Sequence, residues 1–70
     1  MQIVFSGHAT ERMLQRGINE ATVKNILQSP DYIRTSFSGR KIATKKLDKA
    51  WHVIFLEEEN RAIVISAYFD

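Results

Sequence analysis

Seventy residues, 44% of them hydrophobic and 26% charged, describe one ordinary globular domain over residues 1–70, with no room for a second. The net charge is only +2 and there is no cysteine, which excludes a disulfide framework and a thiolate metal site and fits a reducing compartment. No apolar run approaches the length of a membrane span, and Met1–Phe5 is too short for a signal segment, so a cytoplasmic protein without membrane contact is expected.

Gln2–Phe5 is a short apolar stretch that reads as a strand or an extended lead-in. Ser6 follows as a helix N-cap, because its hydroxyl can accept one of the orphan backbone N–H groups of a first turn. The helix is predicted over Gly7–Arg16 and ends at Gly17, a residue suited to a left-handed cap. Ala9 and Met13 share one of its faces, while His8, Arg12 and Arg16 fall on another at i, i+4 and i+8.

Asn19 is the next cap, Glu20 suits the positive end of the second helix, and Ile18 with Val23 forms a hydrophobic staple. That helix is predicted over Asn19–Gln28, buries Val23, Ile26 and Leu27, and stops at Ser29-Pro30.

After Pro30 the hydrophobic period changes from helical to alternating. Strands are predicted over Tyr32–Phe37, Arg40–Leu47, Trp51–Glu57 and Ala62–Phe69, with turns at Ser38-Gly39 and Asp48-Lys49. Connections this short make the strands antiparallel neighbours. The expected fold is α+β, with two N-terminal helices packed on one face of a roughly four-stranded antiparallel sheet and a short N-terminal strand as a candidate fifth. By parity, Trp51, Val53, Phe55, Ile63, Ile65, Ala67 and Phe69 should face the helices. His52, Ile54, Leu56, Val64, Ser66 and Tyr68 should line the other side.

Charge is unevenly distributed. Arg34, Arg40, Lys41, Lys45, Lys46 and Lys49 are interrupted by one acid, Asp48, whereas Glu57-Glu58-Glu59 are consecutive. A basic middle segment fits contact with a polyanion such as RNA, and it equally fits lysines placed to discourage edge-to-edge aggregation. His8 and His52 are the only side chains whose ordinary protonation change falls near neutrality. An imidazole near a helix N-terminus meets the positive end of the macrodipole. A neutral ring can accept a proton while neighbouring arginines hold phosphate. The plainer role for the His8–Arg12–Arg16 stripe is a solvated helix face. For His52 it is a strand residue with a backbone partner, and for Tyr68 a core aromatic with a wet hydroxyl. Two isolated histidines give no metal-ligand spacing, and no phosphate loop or dinucleotide fingerprint occurs, so no cofactor is expected.

The stretch His8-Ala9-x-x-Arg12-Met13-x-x-Arg16-Gly17-Ile18 resembles the signature of a bacterial family of small domains of unknown function. Those domains open with a Ser-x-His-Ala-x-x-Arg helix and end in a strand of the Val-Ile-Thr-x-Tyr kind, here Val64-Ile65-Ser66-Ala67-Tyr68, with Ser66 in place of Thr. The resemblance implies the barnase–EndoU–colicin–RelE class of ribonuclease-like folds, whose members occur as toxins paired with an antitoxin or immunity protein. It implies functional positions at His8, Arg12, Arg16, Ser66 and Tyr68; His52 and the RNA-binding set Arg34, Arg40, Lys41, Lys45 and Lys46 are inferred from the residues alone. The expected function is a metal-independent endoribonuclease acting by 2′-OH attack, with an antitoxin or immunity protein as partner. The alternative is a non-catalytic RNA- or protein-binding module on the same scaffold.

Overall fold

The computed structural model describes all 70 residues, Met1–Asp70. Strand β1 (Gln2–Phe5) leads into helix α1 (Gly7–Arg16) and helix α2 (Glu20–Gln28). Four further strands follow: β2 (Tyr32–Thr35), β3 (Lys41–Lys46), β4 (Ala50–Glu58) and β5 (Arg61–Phe69). Both helices begin where the caps require. The Ser6 hydroxyl accepts from the Ala9 N–H at 3.0 Å, and the Asn19 side chain accepts from the Thr22 N–H at 2.8 Å. Gly17 ends α1 in the left-handed region at φ 68°, which spares the clash a side chain would bring.

The sheet has five strands in the order β1-β5-β4-β3-β2. Three of the four pairs are antiparallel, but β1 runs parallel to β5, so the sheet is mixed rather than four-stranded and antiparallel. The expected candidate strand thus becomes a full member. It can do so because α1 and α2 carry the chain away over one face and the sheet is then rebuilt from the far edge back. The Ser38-Gly39 turn is a short 3₁₀ segment, Phe37–Gly39, with Ser38 at φ 60° and Gly39 at φ 73°.

One face of the sheet meets the helices. Ala9, Met13, Ile18, Val23 and Ile26 pack there with Ala43, Val53, Phe55, Ala62, Val64 and Ala67 as the buried core. Ile3, Phe5, Leu27, Trp51 and Phe69 close its margins. The parity expected for β5 holds at Ala67 and Phe69 and reverses at Ala62–Val64. The reason is a bulge: Ser66 sits opposite Ile54 but Val64 opposite Phe55, leaving Ile65 as the extra residue. Ala62 and Val64 therefore enter the core, and Ile63 turns to the other side between Val4 and Leu56.

The β3–β4 turn is held by a charged bond. The Trp51 indole N–H donates to Asp48 Oδ1 at 3.1 Å. This bond is the main reason the Asp48 pKa is lowered from its ordinary value; backbone N–H groups of Asp48 and Lys49 and the Lys49 charge assist, while burial opposes. A depressed folded-state pKa means this contribution is present above the unfolded value and lost as pH falls through the folded one. Trp51→Phe should move the Asp48 titration back up toward the ordinary carboxylate range, as followed by carboxyl NMR shifts.

Candidate nucleic-acid interface

No element covers the second face of the sheet. Cross-strand register arranges it in rows, because directly opposed residues point the same way. One row reads Tyr32, Thr44, His52, Tyr68, and the next reads Arg34, Ile42, Ile54, Ser66. The tyrosine of β5 stacks on the histidine of β4, with ring centroids 4.8 Å apart and planes inclined by 27°.

His52 is buried, at 8% exposure, and both its ring nitrogens are engaged. Nε2 lies 3.2 Å from Asp70 Oδ1 and Nδ1 lies 3.0 Å from Thr44 Oγ1. A carboxylate only accepts, so Nε2 carries a proton toward Asp70, and the Thr44 hydroxyl, which can donate or accept, completes the pairing at Nδ1. Asp70 reaches this position because it exchanges backbone hydrogen bonds with Ala50, extending the β4–β5 pairing by one residue. The expected backbone partner for His52 is thus replaced by two side chains. Thr44 and Asp70 carried no motif, although the strand parity around the Asp48-Lys49 turn puts Thr44 opposite His52.

The rim of this face is built by α1. Beyond Val64, strand β5 has no strand on the side away from β4, since β1 ends at Phe5. Arg16 fills that gap: its Nη1 donates to the Ala67 carbonyl at 2.8 Å and to Ser66 Oγ at 3.3 Å. Arg12 and His8 continue the stripe in solvent, with Arg12 Nε directed at His8 Nε2 at 3.5 Å, the long limit of a hydrogen bond. Arg12 also donates to Gln15 Oε1 at 3.4 Å. Two groupings result. Arg16, Ser66, Tyr68 and His52 are linked through the sheet, while His8 and Arg12 form an exposed pair on the same helix.

Strand alternation divides the basic segment. Arg34 and Lys46 lie on the open face with Thr44, whereas Lys41 and Lys45 lie on the helix side with Ala43. Lys41 pairs with Glu57 at 2.6 Å, and Lys45 donates to the Ser29 carbonyl at the end of α2, also at 2.6 Å. Arg40 closes the β2–β3 turn with its guanidinium 6.0 Å from the Phe37 ring centroid. A depression of about 300 Å³ lined by Thr10, Met13, Leu14, Ile18, Asn19 and Glu20 lies in the helical layer, apart from these groups. No group of three or more His, Cys, Asp or Glu side chains is arranged to hold a metal ion.

A family model described as "Domain of unknown function (DUF4258)" matches residues 5–69. The chain belongs to that family. The matched span of this DUF4258 domain takes in the whole α1 stripe, the basic hairpin and the β5 ending through Phe69. No curated protein and no solved structure matches the chain. No helix of the DUF4258 domain is long and apolar enough to cross a membrane.

Proposed function

We propose that this domain binds RNA across the open face of its sheet and cleaves it by metal-independent 2′-OH attack, as a toxin-like module restrained by an antitoxin or immunity protein. The observation that carries the reading is half-buried Tyr68, stacked on buried His52 and bordered by Arg16 at Ser66, an aromatic ring beside a permanent cation. Aromatic rings give single-stranded bases a stacking platform, and guanidinium groups hold phosphate. The resemblance of the α1 motif and the β5 ending to ribonuclease-like toxins supports the same reading. So does the helix–helix–sheet order, which suits a RelE- or barnase-like scaffold.

In the proposed reaction the base that takes the ribose 2′-OH proton is His8, whose side chain is in solvent beside Arg12. The 2′-oxygen attacks the adjacent phosphorus and the bond to the 5′-oxygen breaks. The departing oxygen takes a proton from solvent, to which His8 later releases the one it accepted, so that a 2′,3′-cyclic phosphate and a 5′-hydroxyl are the products. Arg12 and Arg16 meet the charge that builds on the phosphorane. His52 serves better as a support for Tyr68 than as a proton carrier, because both its nitrogens are taken.

A second reading, a non-catalytic RNA- or protein-binding module, is favoured by one observation. Val4, Ile42, Ile54, Leu56 and Ile63 form a half-buried apolar strip on the same open face. Binding and cleavage are separable. Wild-type protein should bind single-stranded RNA at low salt and lose affinity steeply as salt rises. Arg34→Ala with Lys46→Ala should flatten the slope of log affinity against log salt by about 1.4, at about 0.7 per phosphate contact on single strands. Lys41→Ala with Lys45→Ala, on the helix side, should leave that slope nearly unchanged. Absence of RNA affinity at low salt would remove both binding and cleavage.

A further inference from the structure

The two edges of the sheet are finished differently. At one edge, β1 and then Arg16 occupy the hydrogen-bonding side of β5. At the other, β2 has nothing beside it. All four of its residues are exposed, including Tyr32 at 55% and Ile33 at 49%, and Phe37 just beyond is exposed to 77%. The inward bonds follow the register Tyr32↔Thr44 and Arg34↔Ile42, continued by Ser36 N–H to the Arg40 carbonyl. Ile33 and Thr35 therefore turn their N–H and C=O groups outward, a free template for another strand.

We propose that the β2 edge docks an extended acidic segment of a partner protein, which adds a sixth strand to the sheet. The charge argues for this occupant. Arg34 and Arg40 at this edge have no carboxylate partner, and neither have Lys46 and Lys49 at the far end of the β3–β4 hairpin. This side of the sheet therefore carries unbalanced positive charge, whereas Lys41 and Arg61 are paired with Glu57 and Glu58. Asp31, the acid next to β2, is occupied in accepting the Lys46 N–H at 2.8 Å. A second copy of the chain fits poorly. Two-fold antiparallel pairing along β2 would bring the two Arg34 side chains opposite or diagonal to each other on one face, and like charges so placed repel. The complementary strand alternates: an acid facing Arg34 on the open side, and an apolar residue beside Ile33 on the helix side. Main-chain bonds would supply the affinity and this alternation the selectivity.

The inference shares Arg34 with the RNA reading but needs neither cleavage nor the α1 stripe, and protection of the Ile33 and Thr35 amides at the β2 edge tells it from binding on the open face. It is tested with the full chain and a blocked eight-residue peptide alternating glutamate and valine, against the same peptide with lysine for glutamate. Amide shifts and hydrogen exchange are recorded by NMR. The glutamate peptide should shift and protect the Ile33 and Thr35 amides, and the lysine peptide should not. Arg34→Glu should weaken the glutamate peptide about fivefold and make the lysine peptide the better ligand, with the rest of the spectrum unchanged. No change at Ile33 and Thr35 at millimolar peptide would overturn the proposal. So would shifts confined to the open face, protection of the same amides by an RNA oligonucleotide instead, or self-association of the free chain through β2.

Discussion

His8→Ala should slow RNA cleavage by about 10²–10⁴-fold, the usual worth of a positioned general acid or base. His8 lies one residue into α1 after Gly7, with its side chain in solvent and Arg12 as its hydrogen-bonding neighbour. Its removal therefore takes away a proton acceptor and leaves the core untouched. Arg12→Ala should cost about 10²–10³-fold, the scale seen when one group stabilising a transition-state charge is deleted. Far-UV circular dichroism and thermal midpoints of both variants should match wild type, which separates a chemical loss from a folding one. The products should end in a 2′,3′-cyclic phosphate, and activity should persist in chelator, because proton transfer and fixed cations carry the proposed reaction. The assay uses total cellular RNA and protein freed of any partner. If His8→Ala cuts as fast as wild type, the mechanism fails and the non-catalytic reading takes its place.

Ile26→Ala should destabilise the fold by about 2–5 kcal/mol. Ile26 is 1% exposed and is among the largest side chains fully enclosed between α2 and the sheet. A core in a domain this short rarely supplies more than about 3–5 kcal/mol in total. The variant should be largely unfolded near 37 °C, or show a melting temperature lower by about 10 °C or more. Leu14→Ala is the comparison: Leu14 is apolar but 78% exposed, so its loss should stay within about 0.5 kcal/mol. Calorimetry or chemical denaturation of the two variants reads the difference directly. Equal losses would mean that the helical layer is not the principal core.

Local chemistry made the helices legible. Ser6, Gly17, Asn19 and Pro30 bound them, and the spacing of Ala9, Met13, Val23 and Ile26 selects the buried faces, as observed. The hairpins from Tyr32 onward follow from alternation and short turns. Two features have no local signal. The parallel seat of β1 depends on a partner at the other end of the chain, and the Ile65 bulge shifts parity without any glycine to announce it. The same limits apply to the site. The stripe of His8, Arg12 and Arg16 is visible from helical spacing, but its division is not: Arg16 reaches Ala67 and Ser66 because β1 stops short of them. Likewise the basic segment looks continuous along the chain, and alternation in β3 sends Lys45 and Lys46 to opposite faces.

The parallel pairing of β1 with β5 also sets an order of events. Gln2 sits opposite Arg61 and Phe5 opposite Val64, so the first strand of the domain must wait for its last. Closing so long a loop before its contacts can reward it raises the contact order and slows folding. The β2–β3–β4 meander can form on neighbouring segments alone, but α1 has its main sheet partner in β5 and cannot settle earlier. While the chain is being made, the stripe of His8, Arg12 and Arg16 has no edge to lie against. The proposed working surface therefore comes into being with the final strand, after synthesis of nearly the whole domain.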